Sequence, residues 1–172
     1  MVPDDIKNVL AGFAIEGDLV ECTPYGNGHI HDTYAATYRD GDGSRRFIHQ
    51  RLNHQVFKDP VGMMSNIVRV CEHLGSKLDS GPQQVLEIVK ARNGDTLCRD
   101  IDGHYWRTYV FVENTEYHDF VQSPSQAEAA GFAFARFQGM LVDLDANDLN
   151  ETIPDFHHTP SRMAALESAI AA

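Results

Sequence analysis

The chain has 172 residues, 42% hydrophobic and 23% charged, the proportions of an ordinary globular domain. Its 14 Lys and Arg against 25 Asp and Glu leave a net charge of −11. Such an acidic surface repels phosphate backbones and anionic lipids, which argues against nucleic-acid and membrane partners. No apolar run approaches the ~20 residues of a membrane span, and the acidic start Met1-Val2-Pro3-Asp4-Asp5 is not a signal peptide. Cys22, Cys71 and Cys98 are widely spaced and odd in number. They read as buried free thiols of a reducing cytoplasm, not as a disulfide framework or a metal pair.

Along the chain, Ile6, Val9, Leu10 and Phe13 recur at helical spacing over Asp4–Phe13, and Gly17 ends that segment. The period then changes to two. Leu19–Cys22 leads through the glycine turn Tyr25-Gly26-Asn27-Gly28 into Thr33–Tyr38, where Tyr34, Ala36 and Tyr38 share one face. Asp40-Gly41-Asp42-Gly43 turns the chain into a third strand with Phe47, Ile48 and Leu52. Asp59-Pro60 predicts a helix start, with Val61, Met64, Val68 and Cys71 as its apolar stripe and Gly75 as its stop. After the breaker Ser80-Gly81-Pro82, strand patterns cover Val85–Val89, Thr96–Ile101 and Tyr105–Val112, the last two joined by an Asp102-Gly103 hairpin turn.

The tail is helical. Ser123-Pro124-Ser125-Gln126 supplies a cap, a proline at the first helical position and a Gln able to reach back. Ala130, Phe134, Phe137, Leu141 and Leu144 form a stripe there, and Phe132, Phe134 and Phe137 read as core residues. Asp143–Glu151 is a polar break, and Pro160–Ala172 is a further amphipathic helix. Blocks of strands stand apart from blocks of helices, which predicts an α+β fold. The sheet is expected to be antiparallel, of about five strands, with one helix packed on it and further helices after it.

The glycine turn lies between two antiparallel strands, so it is neither a Rossmann fingerprint nor a Walker A loop, both of which open a helix. A glycine-containing strand–turn–strand lid is how protein-kinase-like folds cover ATP phosphates, because glycine lets backbone N–H groups approach the oxygens. Such a lobe also needs a phosphate-holding cation on the third strand, a carboxylate on the following helix, and a last strand running into a hinge. Gln50-Arg51, Glu72 and Tyr109–Val112 followed by Glu113-Asn114-Thr115 arrive in that order.

The stretch Tyr25-Gly26-Asn27-Gly28-His29-Ile30-His31-Asp32-Thr33-Tyr34 resembles the YGxGHINxTY loop of bacterial N-acetylhexosamine 1-kinases. These belong to the aminoglycoside phosphotransferase and choline kinase superfamily. Phe47–Asn53 is similar to their YILQRMN strand, and Phe57-Lys58-Asp59, Ile101–Arg107 and Thr152–Pro160 also resemble family segments. The likeness runs from about Ile6 to Ala172. His31 stands where the family has asparagine, and Gln50-Arg51 where protein kinases place a lysine.

The resemblance implies a kinase-like nucleotide-binding lobe with hinge over residues 1–115, then a helical linker and the start of a C-lobe over 116–172. It implies MgATP-dependent phosphorylation of the anomeric hydroxyl of GlcNAc or GalNAc. Gly26, Asn27, Gly28 and His29 would lie over the phosphates, Arg51 or Gln50 would hold them, Glu72 would orient that cation, and Glu113 and Thr115 would offer backbone groups to adenine. The cofactors implied are ATP and Mg²⁺; the catalytic aspartate (HxDxxxxN) and the metal-binding DxD aspartates are expected from a C-lobe, so this chain alone is expected to be inactive as a kinase. It is also expected to self-associate through an exposed apolar lobe surface. Two alternatives stand beside this reading. One is another kinase of the superfamily, acting on an aminoglycoside, choline or homoserine. The other is a non-catalytic binding or dimerisation domain. The nine histidines show no third ligand beside His29 and His31 or beside His157 and His158, so no metal site is expected.

Overall fold

A computed structural model describes residues 4–78, 85–116 and 118–171. In chain order the elements are α1 (Asp4–Leu10), β1 (Asp18–Pro24), β2 (Asp32–Asp40), β3 (Gly43–Arg51), α2 (Pro60–Gly75), β4 (Ile88–Val89), β5 (Cys98–Arg99), β6 (Tyr105–Val110), α3 (Pro124–Met140), a 3-10 turn at Ala146–Asp148, and α4 (Thr159–Ala171). The six strands form one open antiparallel sheet in the order β1-β2-β3-β6-β4, with β5 paired to β6. The fold is α+β, as the separated blocks of pattern predict.

Local chemistry explains the meander. Asp40 opposes Gly43 directly, and Gly41 takes φ +57° between them, in the left-handed region where glycine has no Cβ penalty. Gly17 brings the chain into β1 at φ +90°, packed so closely on the Arg39 carbonyl that a Cβ would collide with it. The predicted run Val85–Val89 shrinks to two residues, as does Thr96–Ile101. The free edge of β6 is divided: β5 takes Tyr105–Trp106 and β4 takes Tyr109–Thr108, leaving two positions for each. The Ser80-Gly81-Pro82 breaker lies outside the described residues.

The two faces of the sheet differ. One carries Ala36, Tyr38, Phe47 and Trp106, which pack with Ile6, Val9 and Leu10 of α1 and with Phe13 and Ile15 into the main core. His49 and Thr108 are buried in the same layer and satisfy each other, with His49 Nδ1 at 2.7 Å from Thr108 Oγ1. The opposite face carries Thr33, Ile48, Gln50, Arg107, Tyr109 and Phe111, and α2 lies against it. Asp59 caps α2 through Gly62 N–H at 2.8 Å.

The predicted stripe of α2 holds except at its start: Met64 is buried and Val68 and Cys71 are half-buried, whereas Val61 is 59% exposed and Met63 and Leu74 join the buried side. The helix is gripped from two sides. The sheet holds one, and the segment 140–150 holds the other, through Asn66 with Asn150, Arg69 with Asp148, and His73 and Lys77 with Asp143. Gly75 does not end α2 with a left-handed turn. Ser76 closes it in right-handed geometry, its N–H donating to the Glu72 carbonyl.

Cap chemistry at α3 is as read: Ser123 Oγ accepts from Gln126 N–H, and Gln126 Oε1 accepts from Gln122 N–H at 2.7 Å. Its packing is not. Neither α3 nor α4 has a buried residue, and Phe132 and Phe134 are 69% and 71% exposed. The phenylalanines read as core therefore lie on the surface, because no other element among the described residues covers them.

Candidate functional site

The loop between β1 and β2 leaves the sheet at Tyr25, whose N–H donates to the Thr33 carbonyl at 2.9 Å. Gly26 holds φ +78°, a conformation that selects glycine. Gly28 has open space where a Cβ would stand, and Gly26 through His29 are exposed. The loop is tied down at both ends. The Tyr25 ring meets Phe111 edge-on at 5.5 Å, and His31 Nδ1 accepts the Asn53 N–H at 3.1 Å while its ring lies 5.3 Å from Phe57. His31 thus pins the loop to the chain leaving β3.

Beneath the loop, on the α2 face, lies a polar row. Thr33, Gln50 and Arg107 occupy matched positions of β2, β3 and β6. Gln50 joins them: its Nε2 donates to Thr33 Oγ1 at 3.0 Å, and its Oε1 accepts from Arg107 Nε at 2.9 Å. Arg107 is half-buried, with Tyr109 5.1 Å from its guanidinium carbon and Met64 Sδ 3.9 Å from Nη1. Burial pushes its pKa down. No carboxylate among the described residues pairs with it.

Further along the same face, the Arg46 guanidinium lies 3.7 Å from the Phe111 ring centre and forks onto Glu113, with Nε 2.9 Å from Oε1 and Nη2 on Oε2. That bond holds the Glu113 carboxyl below its usual range. Asn114 follows at φ +56°, and Thr115 Oγ1 donates to the Val112 carbonyl at 3.1 Å. The start of the glycine loop at Tyr25, Gln50 and the Glu113–Thr115 turn are thereby brought to one side of the sheet, whereas the loop's His29 lies with Arg51 instead.

Arg51 and Glu72 are not. Arg51 has the opposite parity to Gln50 and sits at the edge of the other face. There, with His29, His54 and His104, it lines a shallow depression of about 340 Å³. Asp32 engages it through Nε at 2.8 Å and Nη2 at 2.6 Å, which raises its pKa. The expected orienting carboxylate, Glu72, is exposed on α2, beside Cys71 rather than inside it. Strand alternation, which sends neighbouring residues to opposite faces, separates Arg51 from the row below the loop. Arg107 is the residue that sequence reading passed over. Its signal was a cation two residues before Tyr109 in β6, on the parity opposite Trp106.

Two acidic groups bear on a metal. Asp143-Leu144-Asp145 has the DxD spacing expected only from a C-lobe, but its carboxylates are taken. Asp143 holds Lys77 and His73, and Asp145 accepts from Asn147 N–H and Nδ2 at 3.0 Å each. Asp100, Asp102 and His104 gather ligand atoms within 4.8 Å. Asp100 is spent on its own turn, accepting from Asp102 N–H, His104 N–H and Trp106 Nε1 at 3.1, 2.8 and 2.9 Å. Cys22, Cys71 and Cys98 are free and half-buried, and desolvation raises each thiol. No helix among the described residues is long and apolar enough to cross a membrane. No protein-family model matches this sequence.

Proposed function

We propose that this chain is the nucleotide-binding lobe of an ATP-dependent small-molecule phosphotransferase, with an N-acetylhexosamine as the acceptor of the whole enzyme. The observation that carries the reading is the shared location of the start of the glycine loop, the Thr33–Gln50–Arg107 row and the Glu113–Thr115 turn on one sheet face. A strand–turn–strand glycine lid over polar side chains, with an irregular segment after the last long strand, is the arrangement that covers a nucleotide in kinase-like lobes. The loop N–H groups and the cationic row suit the triphosphate, and the exposed backbone of Glu113 and Thr115 suits adenine. The fit does not extend to Mg²⁺. The carboxylates with ligand spacing already serve a cap, a helix pair and a turn, so no step through a metal is assigned to this chain. It binds nucleotide and does not transfer phosphate by itself.

The test is ADP release with MgATP and GlcNAc or GalNAc, run on this chain and on the product of its encoding gene in parallel, with ATP binding measured by calorimetry. Nucleotide binding by this chain, with turnover only in a longer product, is the expected result. Absence of nucleotide binding in both sinks the reading. Turnover on an aminoglycoside, choline or homoserine instead keeps the lobe and changes the acceptor. The exposed phenylalanines of α3 favour a second reading, a non-catalytic binding or dimerisation domain. A chain that associates but binds no nucleotide would establish that one.

A further inference from the structure

We infer that Arg107, held by Gln50, is an oxyanion-binding residue: the cation for the nucleotide's phosphates comes from the last long strand and not from β3. This rests on the nucleotide reading above but makes a separate claim, about which side chain does the work.

The argument begins with supply and demand of charge. The chain has 25 carboxylates and 14 Lys and Arg. Acid is plentiful, and other arginines use it: Arg46 takes Glu113, Arg51 takes Asp32 and Arg69 takes Asp148. Arg107 is more deeply placed than these and has none among the described residues. A half-buried cation without a counter-charge is costly, since it gives up hydration and gains no ion pair.

Its surroundings fix it as well. Gln50 Oε1 accepts from Nε at 2.9 Å, and Gln50 is itself held by Thr33 Oγ1 at 3.0 Å. The Tyr109 ring lies 5.1 Å from the guanidinium carbon. Along the remaining edge, Nη1 and Nη2, the one hydrogen-bond acceptor among the described residues is the Met64 thioether at 3.9 Å, a weak one. A guanidinium oriented through Nε, with no oxygen acceptor on its Nη edge among the described residues, has two parallel N–H groups to give to a phosphate or carboxylate oxygen pair. Phosphate is the better match, because Thr33, which holds Gln50, also closes the glycine loop by accepting the Tyr25 N–H, and the backbone N–H groups of such an exposed glycine turn suit the same oxygens.

The experiment is calorimetric titration of ATP, inorganic pyrophosphate and adenosine, without added Mg²⁺, into the wild type, Arg107→Met, Arg107→Lys and Gln50→Glu, each checked for folding by its urea midpoint. Arg107→Met keeps the length and apolar packing of the side chain. Gln50→Glu keeps Arg107 and gives it the carboxylate it lacks, so a folding defect at position 107 cannot decide the result alone. Arg107→Met and Gln50→Glu are expected to weaken ATP and pyrophosphate about tenfold or more and to leave adenosine unchanged, with Arg107→Lys between. Equal ATP affinity in wild type, Arg107→Met and Gln50→Glu overturns the inference while the nucleotide reading stands. Pyrophosphate binding that depends on Arg107, with no adenosine binding, sustains the inference and sinks the nucleotide reading. No binding of either anion to the wild type overturns both.

Discussion

Arg51 Nε and Nη2 both reach Asp32 Oδ2 across the β2–β3 ladder, at 2.8 and 2.6 Å. The pair is partly exposed, with the side chains 40% and 54% accessible, so its contribution to stability is on the order of 0.2–1 kcal/mol. A guanidinium so engaged is not free for a phosphate. Arg51→Met is therefore expected to leave ATP and pyrophosphate affinity within about twofold of the wild type while lowering the urea midpoint slightly. A loss of ATP affinity as large as that of Arg107→Met would return the phosphate-holding role to β3.

His49 predicts a pH dependence of stability. It is fully buried beside Phe13, with Nδ1 on Thr108 and Nε2 3.4 Å from the Tyr38 hydroxyl. Burial lowers its pKa from 6.5 to about 3. Between those values the unfolded chain binds a proton that the folded chain does not, so stability falls as pH drops below about 6.5 and keeps falling towards 3. At pH 5 the loss from this residue is about 2 kcal/mol. Urea unfolding at pH 7 and pH 5 measures it, and His49→Gln should flatten that slope. An unchanged slope in the variant would assign it to other groups.

Gly17 and Gly41 separate two reasons for glycine. Gly41 holds φ +57° in open space, so Gly41→Ala should cost about 1 kcal/mol. Gly17 combines φ +90° with contact on the Arg39 carbonyl, so Gly17→Ala should cost more, about 2–3 kcal/mol. Thermal or urea denaturation of both variants tests the order. Equal costs would mean that the β1 entry moves freely away from Arg39.

The exposed apolar surface of the tail predicts self-association. Phe132, Phe134, Met163 and Ile170 are each more than half exposed, a density of large apolar groups that monomeric surfaces seldom carry. Light scattering should show a mass rising with concentration, and Phe134→Glu with Ile170→Glu should return it towards the monomer. Because neither helix has a buried residue, the double variant should unfold at the same urea concentration as the wild type when both are dilute enough to be monomeric. A monomer at every concentration would rule the association out.

Much of the architecture was legible in short-range pattern. The period of two over Thr33–Tyr38, the Asp40–Gly43 turn, the Asp59-Pro60 start of α2 and the Ser123 cap of α3 each depend on a few neighbouring residues, and each has its structural counterpart. Alternation also gave the core face of β2 correctly, since Ala36 and Tyr38 are buried. Sequence alone likewise determined the acidic charge, the free thiols and the glycine loop's setting between strands.

Tertiary structure decided what depends on partners far along the chain. The buried side of α2 was set by segment 140–150, about 80 residues away, through Asn150 and Asp148. The lengths of β4 and β5 were set by their competition for one edge of β6. Glu72 turned outward, Arg51 went to Asp32, and Arg107 took the position below the glycine loop because β6 inserts beside β3 with Gln50 opposite it. Periodicity reports which residues share a face. It does not say which remote strand lies next to that face, and the charge environment of a site is made by exactly such neighbours brought together only when the sheet closes.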